Sequence, residues 1–371
     1  MKNLKEIGLS CKVVSFGNPK YSNSDVIFLP PSSSIISRSN RQLSADLLIP
    51  LDIIKFSRFA KRLLKTEKFD IVHVEEPYVG AFVIHDKKVT TFHDTSYGDI
   101  KTLLRNEKNF ASLKRIGFYF FLGFLLELIC LFSSARVITP SRQIARELVK
   151  FYKTPPEKVR IIRSGVNLPV MVTPTDKKEA KKKLNLPTGK LLILTASQHI
   201  PRKRIDTLLK AILILQRRGV QGYQVVICGD GPIKPLLVNM SKAFGLSGIV
   251  KFTGWLPRNE LELHYKAADI FVLTSEYEAG PIALLEAMSF GDAVVCSKIE
   301  GIPSLMCDGI DGLLFPVGDY VSLSKHLETL IRNATMLREL SISARRFAEK
   351  FDWRSVARDT VLVYNWLMHT E

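Results

Sequence analysis

Two alternating periods constrain this chain more than any other feature of it. Short apolar runs, "CKVVSF", "DIVHV", "KVTTF" and "RVITP", are followed later by "LLILTA", "YQVVICG", "VKFTG", "DIFVLT" and "DAVVCS". Each has the length of a strand and is rich in residues that favour one. Between most of them lie segments with apolar positions at helical spacing, such as "RIDTLLKAILILQRRG" and "ELELHYKAA". Strands this apolar need cover on both faces, and alternating helices supply it. The pattern specifies an α/β architecture with doubly wound parallel sheets. A chain of 371 residues exceeds one ordinary core and suits two such domains.

The two series are separated by "NLPVMVTPTDKKEAKKKLNLPTG", punctuated by Pro169, Pro174 and Pro187. The expected organisation is a first domain over 1–168, a linker over 169–190 and a second domain over 191–350. The last segment, 351–371, reads as an amphipathic helix that either caps the second domain or crosses back to the first. The charge run "DKKEAKKKL" reads as a solvated helix. Doubly wound sheets bind ligands at the carboxyl ends of their strands, so two such domains facing each other would enclose a cleft there.

Composition narrows the partners. Hydrophobic residues make up 46% and charged residues 24%, a globular balance. Fifty-three basic residues against 36 acidic ones give a net charge of +17, which favours anionic partners. Nucleotide phosphates and acidic lipid fit. Nucleic acid is not expected, because no module interleaves aromatic and basic residues. Cys11, Cys130, Cys228, Cys296 and Cys307 are odd in number and lack CxxC spacing, which points to thiols in a reducing compartment. The start "MKNLKEIGLSCKVV" has no apolar core of a secretory signal, so the expected location is cytoplasmic. "IGFYFFLGFLLELICLF", Ile116 to Phe132, is apolar except for Glu127 and follows Lys114 and Arg115. It is short for a membrane span. Two readings are open: a buried or half-buried helix, or a peripheral one in the interface of an acidic membrane.

The strand-to-helix junctions carry the chemistry. In "SEYEAGPIALLEAMSFG", seven residues separate Glu278 from Glu286, and Gly280-Pro281 suits a helix start between them. Free amides at a helix start suit phosphate or a sugar edge, and Gly280 lets backbone approach a ligand. Glu278 then lies in a loop, able to accept hydrogen bonds from hydroxyls, and Glu286 lies inside the helix, able to reach a second diol; the alternative is an N-terminal helix charge plus an ordinary helix glutamate. "SQHIPRKRIDTLL" gathers Arg202, Lys203 and Arg204 beside another helix start, where cations would neutralise a departing diphosphate. In isolation they would be a solvated turn. "CGDGP" offers Gly229 and Gly231 for a tight turn against a ligand, and "FTGWLPRNEL" places Gly254 and Trp255 where a base could lie or where Trp255 simply packs.

The ordered series "PRK", "GDGP", "FTGWLP", E-(seven residues)-E, "EGIP" and "DGLLFPVGD", roughly Leu191 to Tyr320, resembles the catalytic domain of retaining glycosyltransferases of the GT-B fold, family 4. "FDIVHVEEPY", "TTFHDTSYGD", "ARVITPSRQIARELVK" and "KVRIIRSGVN" resemble that family's acceptor-side domain. The resemblance implies metal-independent transfer of a hexose from a nucleotide-diphosphate sugar, with retention, to a glycan or glycolipid. No cofactor is implied. Lys203 would neutralise the diphosphate, Glu278 hold the sugar and Glu286 the ribose. Backbone from Gly280 through Pro281 and Ile282 to Ala283 would meet sugar or phosphate. "GWLP" would border the base, and His93 of "HD" would face the reacting centre.

The chain departs from the family's pattern. Ser197-Gln198 stands where the family has Gly-Arg, so a cation is missing that Arg202 or Arg204 would have to replace. Arg204 stands where Gly is usual, and Ser304 where Glu is common. The opening resembles the end of the family's first helix and its second strand, so the first strand and its glycine loop are not seen. A start placed too far downstream explains this most simply. These departures keep a non-catalytic nucleotide-sugar-binding subunit open as the alternative; the intact glutamate pair favours transfer over epimerisation.

Overall fold

The computed structural model describes residues 2–16, 22–29, 41–106, 117, 119–300, 302 and 306–369. Lys114, Arg115 and Ser304 lie outside them. The chain divides into two compact units: 1–163 with 354–371, and 164–353.

The second unit has one parallel sheet of β7 (Leu191–Ala196), β8 (Tyr223–Cys228), β9 (Val250–Gly254), β10 (Ile270–Leu273), β11 (Ala293–Ser297) and β12 (Leu313–Phe315). Their order is β12-β11-β10-β7-β8-β9. Chain order reverses between β7 and β10, which makes that junction the switch point of a doubly wound sheet. Alternate side chains explain the continuous apolar runs. Leu192 and Leu194 face one core with Phe271 and Val294, while Ile193 faces the other with Ile270, Val272 and Val295. The first face is covered by helices Arg258–Ala267, Ile282–Ser289 and Ala334–Ala348, which contribute Tyr265, Leu284, Met288 and Ala344. The second is covered by Ile205–Arg217 and Tyr320–Arg332 through Leu208, Ile212, Leu323 and Leu327. Each such leucine or isoleucine contributes roughly 1.5–3 kcal/mol on burial.

Residues 169–190 are not a linker here, and their charge run is not simply solvated. Pro174–Lys183 is a helix of the second unit, opened by a capping box between Thr173 and Asp176. Ala180 and Leu186 enter the core. Lys181 is 5% exposed and reaches Asp269 at 2.6 Å, while Lys177 reaches Asp292 at 3.1 Å. Both lysines lay their stems along the apolar face and place their charges on carboxylates far off in sequence.

The first unit contains two parallel sheets. One pairs β1 (Val13–Phe16) with β2 (Val26–Leu29); the other runs in order through β3 (Val72–Val74), β4 (Lys88–Thr91), β5 (Arg136–Thr139) and β6 (Val159–Ile161). Among the described residues no ladder joins them, so each keeps strand edges without a ladder partner. β2, β6 and β12 were not expected from the sequence; each is only three or four residues long. The C-terminal helix Trp353–His369 packs Val363 and Leu367 against Val89 and Ile138 of β4 and β5. Its Trp366 ring lies 3.3 Å from the Arg136 guanidinium. The aromatic segment is half-buried. Leu126, Cys130 and Leu131 point inward, while Phe121 and Phe132 are 75% and 82% exposed. Glu127 is buried and accepts hydrogen bonds from the Ser96 amide and the Tyr152 hydroxyl. Among the described residues no helix is long and apolar enough to cross a membrane.

Asp292 generates a test of this packing. It is fully buried, and burial pushes its carboxyl up to about 7 despite Lys177. A carboxyl raised in the folded state resists ionisation, so stability falls as pH rises from the ordinary carboxylate range, near 4, to about 7. Asp292→Asn should therefore gain on the parent protein between pH 5 and pH 8, read as the difference in thermal midpoints. A constant difference across that range would contradict the assignment.

Candidate functional site

The switch point places two loops side by side. The loop after β7 carries Ser197 to Arg204, and the loop after β10 carries Thr274 to Pro281. Three bonds clip this region together. The Glu276 amide donates to the Arg202 carbonyl at 2.9 Å, the Thr274 hydroxyl donates to the Lys203 carbonyl at 2.7 Å, and the Ser297 hydroxyl donates to the Ser275 carbonyl. The clip brings Lys203 Nζ to 2.6 Å from Glu278 Oε1, which also accepts the Ser275 hydroxyl at 2.6 Å. The two side chains are 13% and 10% exposed, so the pair is mostly screened from water. A cation and a carboxylate are thus held at the carboxyl ends of the central strands, where ligands of such sheets bind.

The neighbouring arginines do not both serve as spare cations. Arg204 adopts a left-handed backbone, φ 47°, where the resemblance expects glycine. That conformation costs an ordinary residue on the order of 1 kcal/mol. Asp206 at 3.2 Å and Glu276 at 3.8 Å hold its guanidinium. Arg202 lies with its guanidinium 5.8 Å from the Tyr277 ring. Gln198 is exposed. Of the two proposed replacements for the missing cation, Arg204 is engaged by carboxylates and Arg202 remains.

Glu286 sits in the helix Ile282–Ser289, for which Pro281 is the N-cap rather than the first helical residue. The first turn begins with Ile282 and Ala283. Leu284 and Leu285 donate their amides to the Pro281 carbonyl at 3.0 and 3.2 Å. The Glu286 carboxylate is buried and accepts a hydrogen bond from Arg258 Nη1. Arg258 opens the helix that follows Gly254, Trp255, Leu256 and Pro257, so this pair ties the second glutamate to the loop after β9. Sequence reasoning missed Arg258: nothing in a spacing of 28 residues marks it as a partner. It also binds Glu262 at 2.7 Å, an ordinary helical pair that hides the other contact.

Gly229 and Gly231 also have a packing reason. A Cβ on Gly229 would lie 1.9 Å from the Ser197 carbonyl oxygen, and one on Gly231 would lie 2.4 Å from that of His199. The glycines let the loop after β8 close on the loop after β7. Gly254, at φ 81°, bonds Gly229 through its carbonyl at 2.8 Å, and a Cβ there would lie 3.2 Å from Lys234 Nζ. Lys234 pairs with Asp230 at 2.9 Å. Trp255 is 75% exposed, so it does not serve as packing. His199 is buried beneath these loops, and burial pulls its pKa down.

In the first unit, His93 follows β4 and is exposed. Its Nε2 lies 3.0 Å from Glu75 Oε2, in the loop after β3. Among the described residues there is no group of three or more His, Cys, Asp or Glu side chains arranged to hold a metal ion.

Comparisons with known proteins bear on the fold and the family. Residues 3–169 match the model of Glycosyltransferase Family 4, and residues 176–347 match that of Glycosyl transferases group 1. A D-inositol 3-phosphate glycosyltransferase of Thermobispora bispora is 30% identical over 237 residues, covering 62% of this chain and 55% of that protein. The match spans about half the length of such D-inositol 3-phosphate glycosyltransferases. Sucrose-phosphate synthase from Thermosynechococcus elongatus superposes with a TM-score of 0.78 at 20% identity, covering 99% of this chain and 91% of that one. Anabaena HepE in complex with UDP and glucose gives 0.69 at 17% identity, covering 92% and 86%. A doubly wound parallel sheet in the second unit, parallel sheets in the first, a glutamate paired with a switch-point lysine and two family models that follow one another along the sequence lead to one conclusion: the chain belongs to the family 4, group 1 glycosyltransferases of the GT-B fold.

Proposed function

We propose that the protein transfers a hexose from a nucleotide-diphosphate sugar to a glycan or lipid acceptor with retention at the anomeric carbon and without a metal. The observation that carries this reading is the Lys203–Glu278 pair at the switch point. As the anomeric C–O bond breaks, its electron pair goes to the diphosphate, and Lys203 is placed to receive that charge. The helix start at Ile282 adds its positive dipole end. Once Lys203 turns to phosphate, Glu278 is released to accept hydrogen bonds from sugar hydroxyls. Glu286, held by Arg258, is suited to the ribose diol. The complex of HepE with UDP and glucose makes UDP-glucose the first donor to try.

A second reading, a subunit that binds the nucleotide-sugar without turnover, is favoured by the exposed Gln198 where a second cation is expected. A panel of nucleotide-sugars separates the two: thermal stabilisation with no sugar released or transferred supports the binding subunit. The exposed Phe121 and Phe132, together with the charge of +17, suit peripheral contact with an acidic membrane that presents a lipid-linked acceptor.

Under the transfer reading, Lys203→Ala and Glu278→Gln should each lower kcat by about a hundredfold or more, as the loss of one charge-stabilising group does. Unchanged turnover in either variant would remove the reading. Arg258→Ala should weaken UDP binding about tenfold by calorimetry, because the buried Glu286 carboxylate loses the cation that orients it. Membrane contact predicts that the protein floats with vesicles rich in phosphatidylserine and that Phe121→Ser with Phe132→Ser abolishes flotation; equal flotation of parent and variant would contradict it.

A further inference from the structure

We propose that Glu75 is a positioning residue for His93 and fixes which of its ring nitrogens meets the ligand. The inference rests on reading His93 as part of the transfer site and adds a residue that the resemblance does not supply.

The geometry begins in the sheet. β3 and β4 are parallel neighbours, with His73 beside Val89 and Val74 beside Thr90. Residues just past their carboxyl ends, Glu75 and His93, therefore emerge next to each other. Glu75 Oε2 lies 3.0 Å from His93 Nε2, and Glu75 Oε1 lies 3.6 Å from His73 Nε2. His73 is itself fixed, with Nδ1 2.6 Å from the Tyr364 hydroxyl and Nε2 2.7 Å from the Thr91 hydroxyl. Glu75 thus lies against a bonded, half-buried histidine, while the His93 side chain is 60% exposed. An exposed imidazole alone would sample several rotamers. This one is tied at one end to a carboxylate.

The consequence is a choice of nitrogen. A carboxylate needs a proton on the nitrogen it faces, so Nε2 carries one and Nδ1 turns outward. In the protonated ring Nδ1–H donates to an oxygen, either a sugar hydroxyl or a phosphate. In the neutral ring it accepts. Which role holds depends on the charges around the ring. Glu75 and Glu76 face it from the loop after β3 and Asp94 from its own loop, with His73 opposing. The Glu75 hydrogen bond is the largest influence and holds His93 above its ordinary value, so the donor form extends towards neutral pH.

The test reads the imidazole itself. Proton–nitrogen spectra of the full-length protein should show His93 with its proton on Nε2, and Glu75→Gln should move its titration to lower pH. Inorganic phosphate and free glucose, added separately, should perturb Nδ1 only where that ligand supplies the oxygen. A His93 titration unmoved by Glu75→Gln overturns the proposal. So does failure of both ligands to reach Nδ1. In transfer assays with UDP-glucose, Glu75→Gln should lose about tenfold in kcat/KM, below the 10²–10⁴ typical of losing an acid–base group outright. The loss should grow with pH and shrink to under about twofold in a His93→Gln background, since Glu75 acts through the ring. Equal losses in both backgrounds also overturn it. A parent protein without turnover would defeat the transfer reading alone, leaving the spectra to decide this one.

Discussion

Everything proposed for the second unit depends on one contact, the ion pair of Lys203 with Glu278. Two charges hidden from water singly would each cost several kcal/mol. Held together, and with Ser275 sharing the carboxylate, they persist in a loop region that is mostly protected. The sheet makes the contact possible. Only at the point where strand order reverses do the loops after β7 and β10 meet, and backbone bonds between them fix the approach. Under the proposed transfer, a diphosphate would enter a site whose cation is already placed and neutralised, and would gain it by exchange rather than by capturing a solvated side chain.

The same device recurs. Glu286 is met by Arg258, and Glu75 by His93. Each carboxylate with a proposed role is coupled to a cationic or protonatable partner from another element, which orients it without a ligand. The glycines support this by packing. Gly229 and Gly231 allow the backbone of Ser197–His199 to lie against the loop after β8, which holds the cationic turn in place. Arg204 shows the opposite solution: a residue poorly suited to a left-handed backbone is retained there by carboxylates on both sides.

The architecture was largely legible. Apolar runs of β-branched residues alternating with helical periods specify doubly wound sheets, because parallel strands need cover on both faces. The placement of Lys203 and Glu278 in loops after strands and of Glu286 in a helix was legible too, since positions relative to strand ends and Gly280-Pro281 can be read locally. The rest depends on contacts between distant residues. Arg258 and Glu75 declare themselves only when the fold brings Glu286 and His93 to them. Lys177 and Lys181 looked like a solvated face because their partners, Asp292 and Asp269, lie far along the chain. Pro169 and Pro187 signalled a linker, yet the helix between them docks on the second unit, since tertiary packing overrides local composition there.

The C-terminal helix has a consequence for how the molecule is made. Tyr364 bonds His73 across 291 residues, and Val363 and Leu367 complete the apolar cluster around Val89 and Ile138. The first unit is thus discontinuous, whereas the second is an unbroken stretch of chain. The stretch from Ser164 to Trp353 finds its contacts within one unbroken run of chain, whereas the portion before it must wait for the helix Trp353–His369 to emerge. Closing the first unit therefore carries the entropy of a loop that encloses the whole second unit, a cost met only once Tyr364 reaches His73.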